Sequence, residues 1–186
     1  WTADDYGFFS GSYGLINVFL LMLFFGGIIL DKLGIRFTGV LSTSLMVVGV
    51  LIKYVAVSTD FHGAVFSIGS FHLPMSAAVA CLGFAIFGVG SEITGITISK
   101  TITKWFTGHE LALAMGVQVA LARLGTAAAL SANLPMAKAT SLGIQLPVIV
   151  GAALLIAGFL GFLVYNVMDR RLDASIAAVD GESVTE

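Results

Sequence analysis

Charge, cysteine and histidine are all scarce in this chain, and each scarcity closes off a class of function. Only 11% of the 186 residues are charged, while 58% are hydrophobic. A soluble domain carries about 25% charged and 45–50% apolar residues. With a mean hydropathy of +1.00, the chain falls among membrane proteins, with the lipid bilayer as its solvent. A net charge of −2 offers nothing to a phosphate backbone, so no nucleic acid is expected as a partner. A single cysteine, Cys81, excludes an intrachain disulfide. It reads as helix-packing filler, with a reactive thiol as the lesser alternative. His62, His72 and His109 are scattered over expected loops, and neither zinc-ligand nor Cys-x-x-Cys spacing occurs, so no metal site is expected. The sequence shows no nucleophile–base pair, metal cluster or phosphate loop, so neither an enzyme nor a cofactor is expected. The first residue is Trp1 and no basic segment precedes an apolar run, so no signal peptide is legible. The loops hold no Asn-x-Ser/Thr acceptor and the tail no evident lysosomal sorting signal. Both absences lean towards a bacterial cytoplasmic (inner) membrane, with a lysosomal membrane as the alternative.

Hydrophobic runs longer than about 17 residues mark spanning helices. Such runs cover roughly 12–30, 37–57, 76–103, 110–134 and 145–167, which predicts an all-α polytopic fold of five transmembrane helices. The third run exceeds what a bilayer needs and is expected to tilt or project. The segments between are short, except for a weakly charged loop over 58–75. Residues 169–186 read as a polar, poorly ordered tail. If the helices alternate, Lys32, Arg36, Lys100, Lys104, Arg170 and Arg171 fall on one side, and only Lys53 and Lys138 near the other. That asymmetry puts the first group, and the C-terminus, in the cytoplasm. Glycines stud the third span (Gly83, Gly88, Gly90, Gly95) and the fifth (Gly151, Gly158, Gly161), as expected where helices pack closely in lipid. "GVGSEITG" at 88–95 is no dinucleotide fingerprint, since its spacing is wrong and no strand precedes it.

Between the first two spans runs "GGIILDKLGIR", residues 26–36, of the form G-x-x-x-D-K-x-G-x-R. Asp31 follows the C-terminal end of a helix, where the dipole disfavours a carboxylate, so it wants a cation or a facing helix N-terminus. A tight basic turn on the cytoplasmic side is the plainer reading. The stretch resembles the signature loop between helices two and three of the major facilitator superfamily, with Gly27, Asp31, Lys32, Gly34 and Arg36 on its Gly, acid, base, Gly and base. The resemblance implies a charged conformational latch at these five residues. It makes the chain the second to sixth helices of a twelve-helix transporter. Residues 1–168 would then form a partial N-terminal bundle and 169–186 the start of the inter-domain linker. The first helix and the C-terminal half would be partners outside this sequence.

Two charges fall inside spans. Glu92 in the third and Arg123 in the fourth lie on either side of the turn at Thr107. Each is roughly 22–24 Å from that turn at 1.5 Å per residue, and so at matched depth near or slightly past the midplane. Either charge alone costs at least ~2.5–3.5 kcal/mol at a helix centre. Their neighbours are small or polar: Ser91, Thr94 and Thr97 beside Glu92, and Gly116, Gly125 and Thr126 beside Arg123. A guanidinium forks onto a carboxylate and a carboxylate holds an ammonium. Together they suit a zwitterion such as an amino acid or short peptide. Three readings stay open: Glu92 holds an ammonium, carries a coupling proton, or forms a structural pair with Arg123. Asn17, Gln118 and Asn133 either line the pathway or hydrogen-bond across helices.

Three pieces recur in order: F-G-x-G-x-E at Phe87, Gly88, Gly90 and Glu92; W-F-x-G-x-E-L at Trp105, Phe106, Gly108, Glu110 and Leu111; and A-R-x-G at Ala122, Arg123 and Gly125. They resemble a branch of the superfamily that includes lysosomal dipeptide carriers and bacterial relatives. The resemblance implies dipeptide transport by alternating access, with Glu92 and Arg123 in a central site. Many members carry an Arg four residues before the first of these glycines. Phe84 stands there instead, which removes one expected route of proton coupling. Trp105 reads as an interfacial anchor, and Glu110 as a helix-start acid suited to the dipole and to capping. The alternatives are an organic-anion carrier, in which Arg123 holds a carboxylate and Glu92 takes the proton, and a non-transporting scaffold or partner subunit.

Overall fold

The computed structural model describes residues 3–19, 22–61, 64–68, 71–106, 108 and 110–183. Trp1, His62, Thr107 and His109 lie outside the described residues. The elements are α1 (Ala3–Phe19), α2 (Met22–Ser58), β1 (Val65–Ile68), β2 (Phe71–Pro74), α3 (Met75–Trp105), α4 (Leu111–Ala139) and α5 (Gln145–Ser183). Four of them, α2 to α5, are long and apolar enough to cross a membrane.

The five expected spans are distributed differently. The first, over 12–30, is shared between α1 and the start of α2. The turn and the second span are drawn into α2 as well. A straight helix of 37 residues would measure about 55 Å, nearly twice the ~30 Å hydrocarbon core. Gly34 resolves the conflict. Its φ of 79° and ψ of 172° belong to a region that only glycine occupies readily, and the chain reverses there. Contacts with α3 give the directions of the two legs. On the first leg, Gly26 packs on Ile93 and Asp31 reaches Lys100, so this leg runs parallel to α3. On the second, Thr94 meets Ser42 while Gly49 packs on Phe87, so this leg runs antiparallel. The expected reversal therefore sits at Gly34, with one helical leg on either side.

The interface of α2 with α3 is built on small residues. A Cβ added to Gly90 would lie 2.6 Å from the Ser42 carbonyl oxygen, and one on Gly83 would lie 2.7 Å from the Gly49 oxygen. Ala77, Ala80 and Ala85 of α3 and Thr38 and Ser42 of α2 are buried in the same core. Close glycine packing is found as expected at Gly83, Gly88 and Gly90, but not at Gly95, Gly151, Gly158 or Gly161, which have open space beside them.

Three further expectations change. The loop over 58–75 contains an antiparallel hairpin with Val65 opposite Pro74 and Ile68 opposite Phe71; His72 falls on β2. Helix α4 does not stop at 134 but runs through Pro135 to Ala139, as membrane helices tolerate. The segment after 167 is not a loose tail: α5 continues to Ser183, and Asp169 and Asp173 are tied to Arg36 beside the break in α2 and to Lys104 at the end of α3. Helix α5 packs along the second leg of α2, with Gln145 at its start on Val57 and Asp169 on Arg36. Helix α4 stands apart, with no buried residue.

Candidate functional site

Glu92 lies on α3 about 25 Å from its start and 20 Å from its end, half-buried. The Tyr13 hydroxyl of α1 donates to Glu92 Oε1 at 2.9 Å. No cation pairs with Glu92 among the described residues. Tyr13 reaches it because Gly88, one turn before Glu92, leaves room for the ring: a Cβ there would sit 2.9 Å from Tyr13 Cδ2. Asn17, one turn beyond Tyr13, donates from Nδ2 to the Tyr13 carbonyl at 2.9 Å. Its Oδ1 is buried with no hydrogen-bond partner among the described residues, which leaves an acceptor beside the carboxylate. Aromatic rings continue the surface away from Glu92: Tyr13 packs on Phe84 at 5.3 Å, and Phe84 stacks on Phe9 at 4.7 Å and on Phe87 at 6.2 Å. Thr94 and Thr97 do not face a ligand. Thr94 donates to Ser42 Oγ at 2.9 Å and Thr97 to the Ile93 carbonyl at 2.7 Å.

Arg123 is not brought to Glu92. It is exposed on α4, and Gly116 and Gly125 have nothing within 4 Å. Thr126 bonds only its own helix, at the Ala122 carbonyl. Gln118 is half-buried and Asn133 exposed on the same helix. The structural pair, one of the three readings of Glu92, is not formed among the described residues, where α4 is not seated against α3.

The signature-loop residues do meet charges. Asp31 accepts from Lys100 Nζ at 2.6 Å, the cation that a carboxylate at a helix C-terminus needs. Gly34 forms the break. Arg36 enters a denser cluster around Asp169, whose side chain is only 2% exposed. Arg36 donates from Nε to Asp169 Oδ2 at 2.7 Å and from Nη2 to the Asp169 carbonyl at 3.0 Å. Lys104 Nζ, Trp105 Nε1 and the Tyr165 hydroxyl converge on Oδ1 at 2.8, 3.3 and 3.1 Å. Asp173, one turn further along α5, also accepts from Arg36 and from Lys104. The cluster ties together α2, α3 and α5. Gly27 and Lys32 contribute no bond to it, and Lys32 is exposed. Trp105 is more than an interfacial anchor, since its indole N–H is used. Asp169 and Asp173 lie in the expected tail, and their spacing in "DRRLD" after a span, on the side that also carries Arg36 and Lys104, is the signal available.

Beyond α3, Phe106 closes the helix by donating its N–H to the Ile102 carbonyl at 2.9 Å. Gly108 takes a φ of 90° and Glu110 a φ of 57°, so the glycine of the W-F-x-G-x-E-L piece serves a left-handed turn. Glu110 occupies the N-cap position but makes no side-chain cap bond. Leu111 opens α4.

No family model matches the chain, and no solved structure matches it. Among curated proteins it is similar to the lysosomal dipeptide transporter MFSD1 of Danio rerio and that of Homo sapiens, each 25% identical over 175 residues. The MFSD1 of Bos taurus is equally similar. The alignments cover 88% of this chain and 34% of those proteins, so the chain spans about a third of the length of the curated relatives it matches. These relatives come from animal lysosomes by name, and they give no support to a bacterial inner membrane. The chain is a polytopic helical membrane chain with a midspan glutamate, and over 88% of its length it is similar to the MFSD1 branch of the major facilitator superfamily.

Proposed function

We propose that the chain forms part of a secondary active or facilitative transporter that moves small zwitterions, dipeptides first among them, by alternating access. In such carriers two bundles rock against each other around a site near the bilayer midplane. The observation that carries this reading is Glu92: a carboxylate midway along a spanning helix, held by one tyrosine hydroxyl and by no cation among the described residues. Intramembrane carboxylates are costly and mark substrate or proton paths. Glu92 receives the substrate's ammonium end or a coupling proton. Arg123, at the same distance from the turn, is a guanidinium available to the carboxylate end once α4 is seated. Asn17 adds an acceptor beside Glu92, while Gln118 and Asn133 face the pathway from α4. The opposite wall of the cavity comes from the other half of such a transporter. The Asp31–Lys100 pair and the Arg36 cluster latch one conformation at the cytoplasmic end, where the basic residues gather. The named relatives are dipeptide transporters of the lysosome, which supports the same substrate class and a lysosomal membrane for this chain.

The test is uptake by the full-length protein in liposomes. Glu92→Gln and Arg123→Ala each abolish dipeptide uptake while leaving membrane insertion intact. Full uptake by both variants would sink the assignment. An N-acetylated dipeptide is refused under this reading, whereas an organic-anion carrier, with Arg123 on the carboxylate and a proton on Glu92, accepts it.

A further inference from the structure

A carboxylate midway along a spanning helix is ordinarily met by a cation or by water, since a bare charge there is costly. Among the described residues Glu92 is met instead by a neutral donor, the Tyr13 hydroxyl, at 2.9 Å. The difference is chemical. A guanidinium or ammonium cancels the charge and competes for both oxygens. A hydroxyl gives one hydrogen bond and leaves the negative charge in place. An ionised carboxylate has about four lone-pair positions to offer, and the Tyr13 bond falls on Oε1. What completes such a site is a positive charge from elsewhere.

Tyr13 is not free to swing aside. Its ring lies in the notch left by Gly88, where a Cβ would sit 2.9 Å from Cδ2 and 3.1 Å from Cε2, closer than carbon atoms pack at rest. The same ring meets Phe84 with centroids 5.3 Å apart. Phe84 in turn stacks at 4.7 Å on Phe9, which precedes Tyr13 by one turn on the same face of α1. Two rings of α1 thus grip one ring of α3, in the offset and tilted geometries that aromatic pairs favour. The covering of Glu92 is one-sided, however. Glu92 stays only half-buried. A Cβ on Gly95, three residues further along the same face of α3, would meet nothing within 4 Å. The Gly88 side of the carboxylate is closed by the phenol, and the Gly95 side is open.

We infer that Tyr13 is the positioning residue of the ammonium site: a phenol seated on Gly88 that fixes Glu92 by one oxygen and leaves its charge, and its Gly95 side, to the substrate's ammonium. The inference rests on the zwitterion reading of Glu92 given above and deepens it. Glu92 touches the ammonium, and Tyr13 acts through Glu92 without touching substrate. A carboxylate already held in place spares the ligand the cost of ordering it, which raises affinity with no new contact to the ligand. Gly88 belongs to the same device, because a methyl group there displaces the ring that carries the hydroxyl.

The experiment is binding by the purified full-length protein, measured with dialanine and, by competition, with N-acetyl-dialanine, which lacks the ammonium. Tyr13→Phe keeps the ring and its packing and deletes only the hydroxyl. It weakens dialanine binding about 10- to 100-fold, the effect of losing one hydrogen bond to a charged group, and leaves the weaker affinity for N-acetyl-dialanine at the wild-type value. Gly88→Ala lowers dialanine affinity by a similar factor. The double variant Tyr13→Phe/Gly88→Ala binds no more weakly than the worse single variant, since both act through one bond. An equal loss for the two ligands in Tyr13→Phe would make the hydroxyl merely structural and overturn the assignment. Unchanged dialanine binding would overturn it too, as would tighter binding, the mark of a hydroxyl that competes with substrate. If dialanine binding is unchanged in Glu92→Gln as well, the zwitterion site itself fails and Tyr13 falls with it. If Glu92→Gln abolishes binding while Tyr13→Phe does not weaken it, the Tyr13 assignment alone is wrong.

Discussion

The crossing of α2 and α3 can be tested through Gly49 and Gly83, each of which faces the other's backbone. A Cβ on Gly49 would lie 2.6 Å from Phe87 N and 2.7 Å from the Gly83 oxygen; one on Gly83 would lie 2.7 Å from the Gly49 oxygen and 2.9 Å from Lys53 N. These are backbone atoms of rigid helices and cannot rotate away. Relaxed contact needs about 3.5 Å or more, so either alanine forces the helices apart by close to 1 Å at the crossing. Overpacking of this kind costs about 1–3 kcal/mol. One separation accommodates both methyl groups, however. The double variant Gly49→Ala/Gly83→Ala should therefore cost little more than the worse single variant, with a coupling of about 1–2 kcal/mol in a double-mutant cycle. The assay is equilibrium unfolding in mixed detergent and SDS micelles, followed by tryptophan fluorescence. Simple additivity of the two single effects, within about 0.5 kcal/mol, would refute the close crossing of α2 and α3.

Two other changes probe the charged end. Asp169→Ala removes a nearly inaccessible carboxylate that takes bonds from Arg36, Lys104, Trp105 and Tyr165, and should destabilise by about 3 kcal/mol in the same unfolding assay. Asp173→Ala, whose side chain is 46% exposed, should have no more effect than an ordinary surface substitution; equal losses at the two positions would refute the central place of Asp169. Gly34→Ala imposes a Cβ on a backbone of φ 79° and ψ 172° and should cost about 1–3 kcal/mol. A neutral result there would mean that α2 does not reverse at Gly34.

Much of this was legible in the sequence because a bilayer demands length and apolarity, and both are visible in composition. The helical class, the third span and the need of Asp31 for a cation could all be read from residue types. The reversal at Gly34 was legible as a turn, but its confinement to one glycine was not, because hydropathy falls over "DKLGIR" whether or not the backbone stays helical on either side. The continuation of α5 was missed for a related reason. "DRRLD" is polar and looks like an end, yet its two acids face basic groups on other helices, and that tertiary pairing extends the helix beyond the apolar run.

The candidate site was half legible. Depth along a helix follows from counting, so Glu92 and Arg123 could be matched in height. Azimuth does not follow, since whether two residues face one another depends on how the helices seat, and α4 does not seat on α3 here. The groups that do meet Glu92 belong to α1, where Tyr13 and Asn17 stand one turn apart on a common face. Lys53 was read only as a minority charge for orientation. Its direction depends on Gly83, which admits the stem, and on Phe84 and Phe87, which receive the ammonium. The Phe84 ring is covered by the Lys53 ammonium from the neighbouring helix. The positive charge over these rings comes from α2, which residue spacing along α3 alone could not reveal.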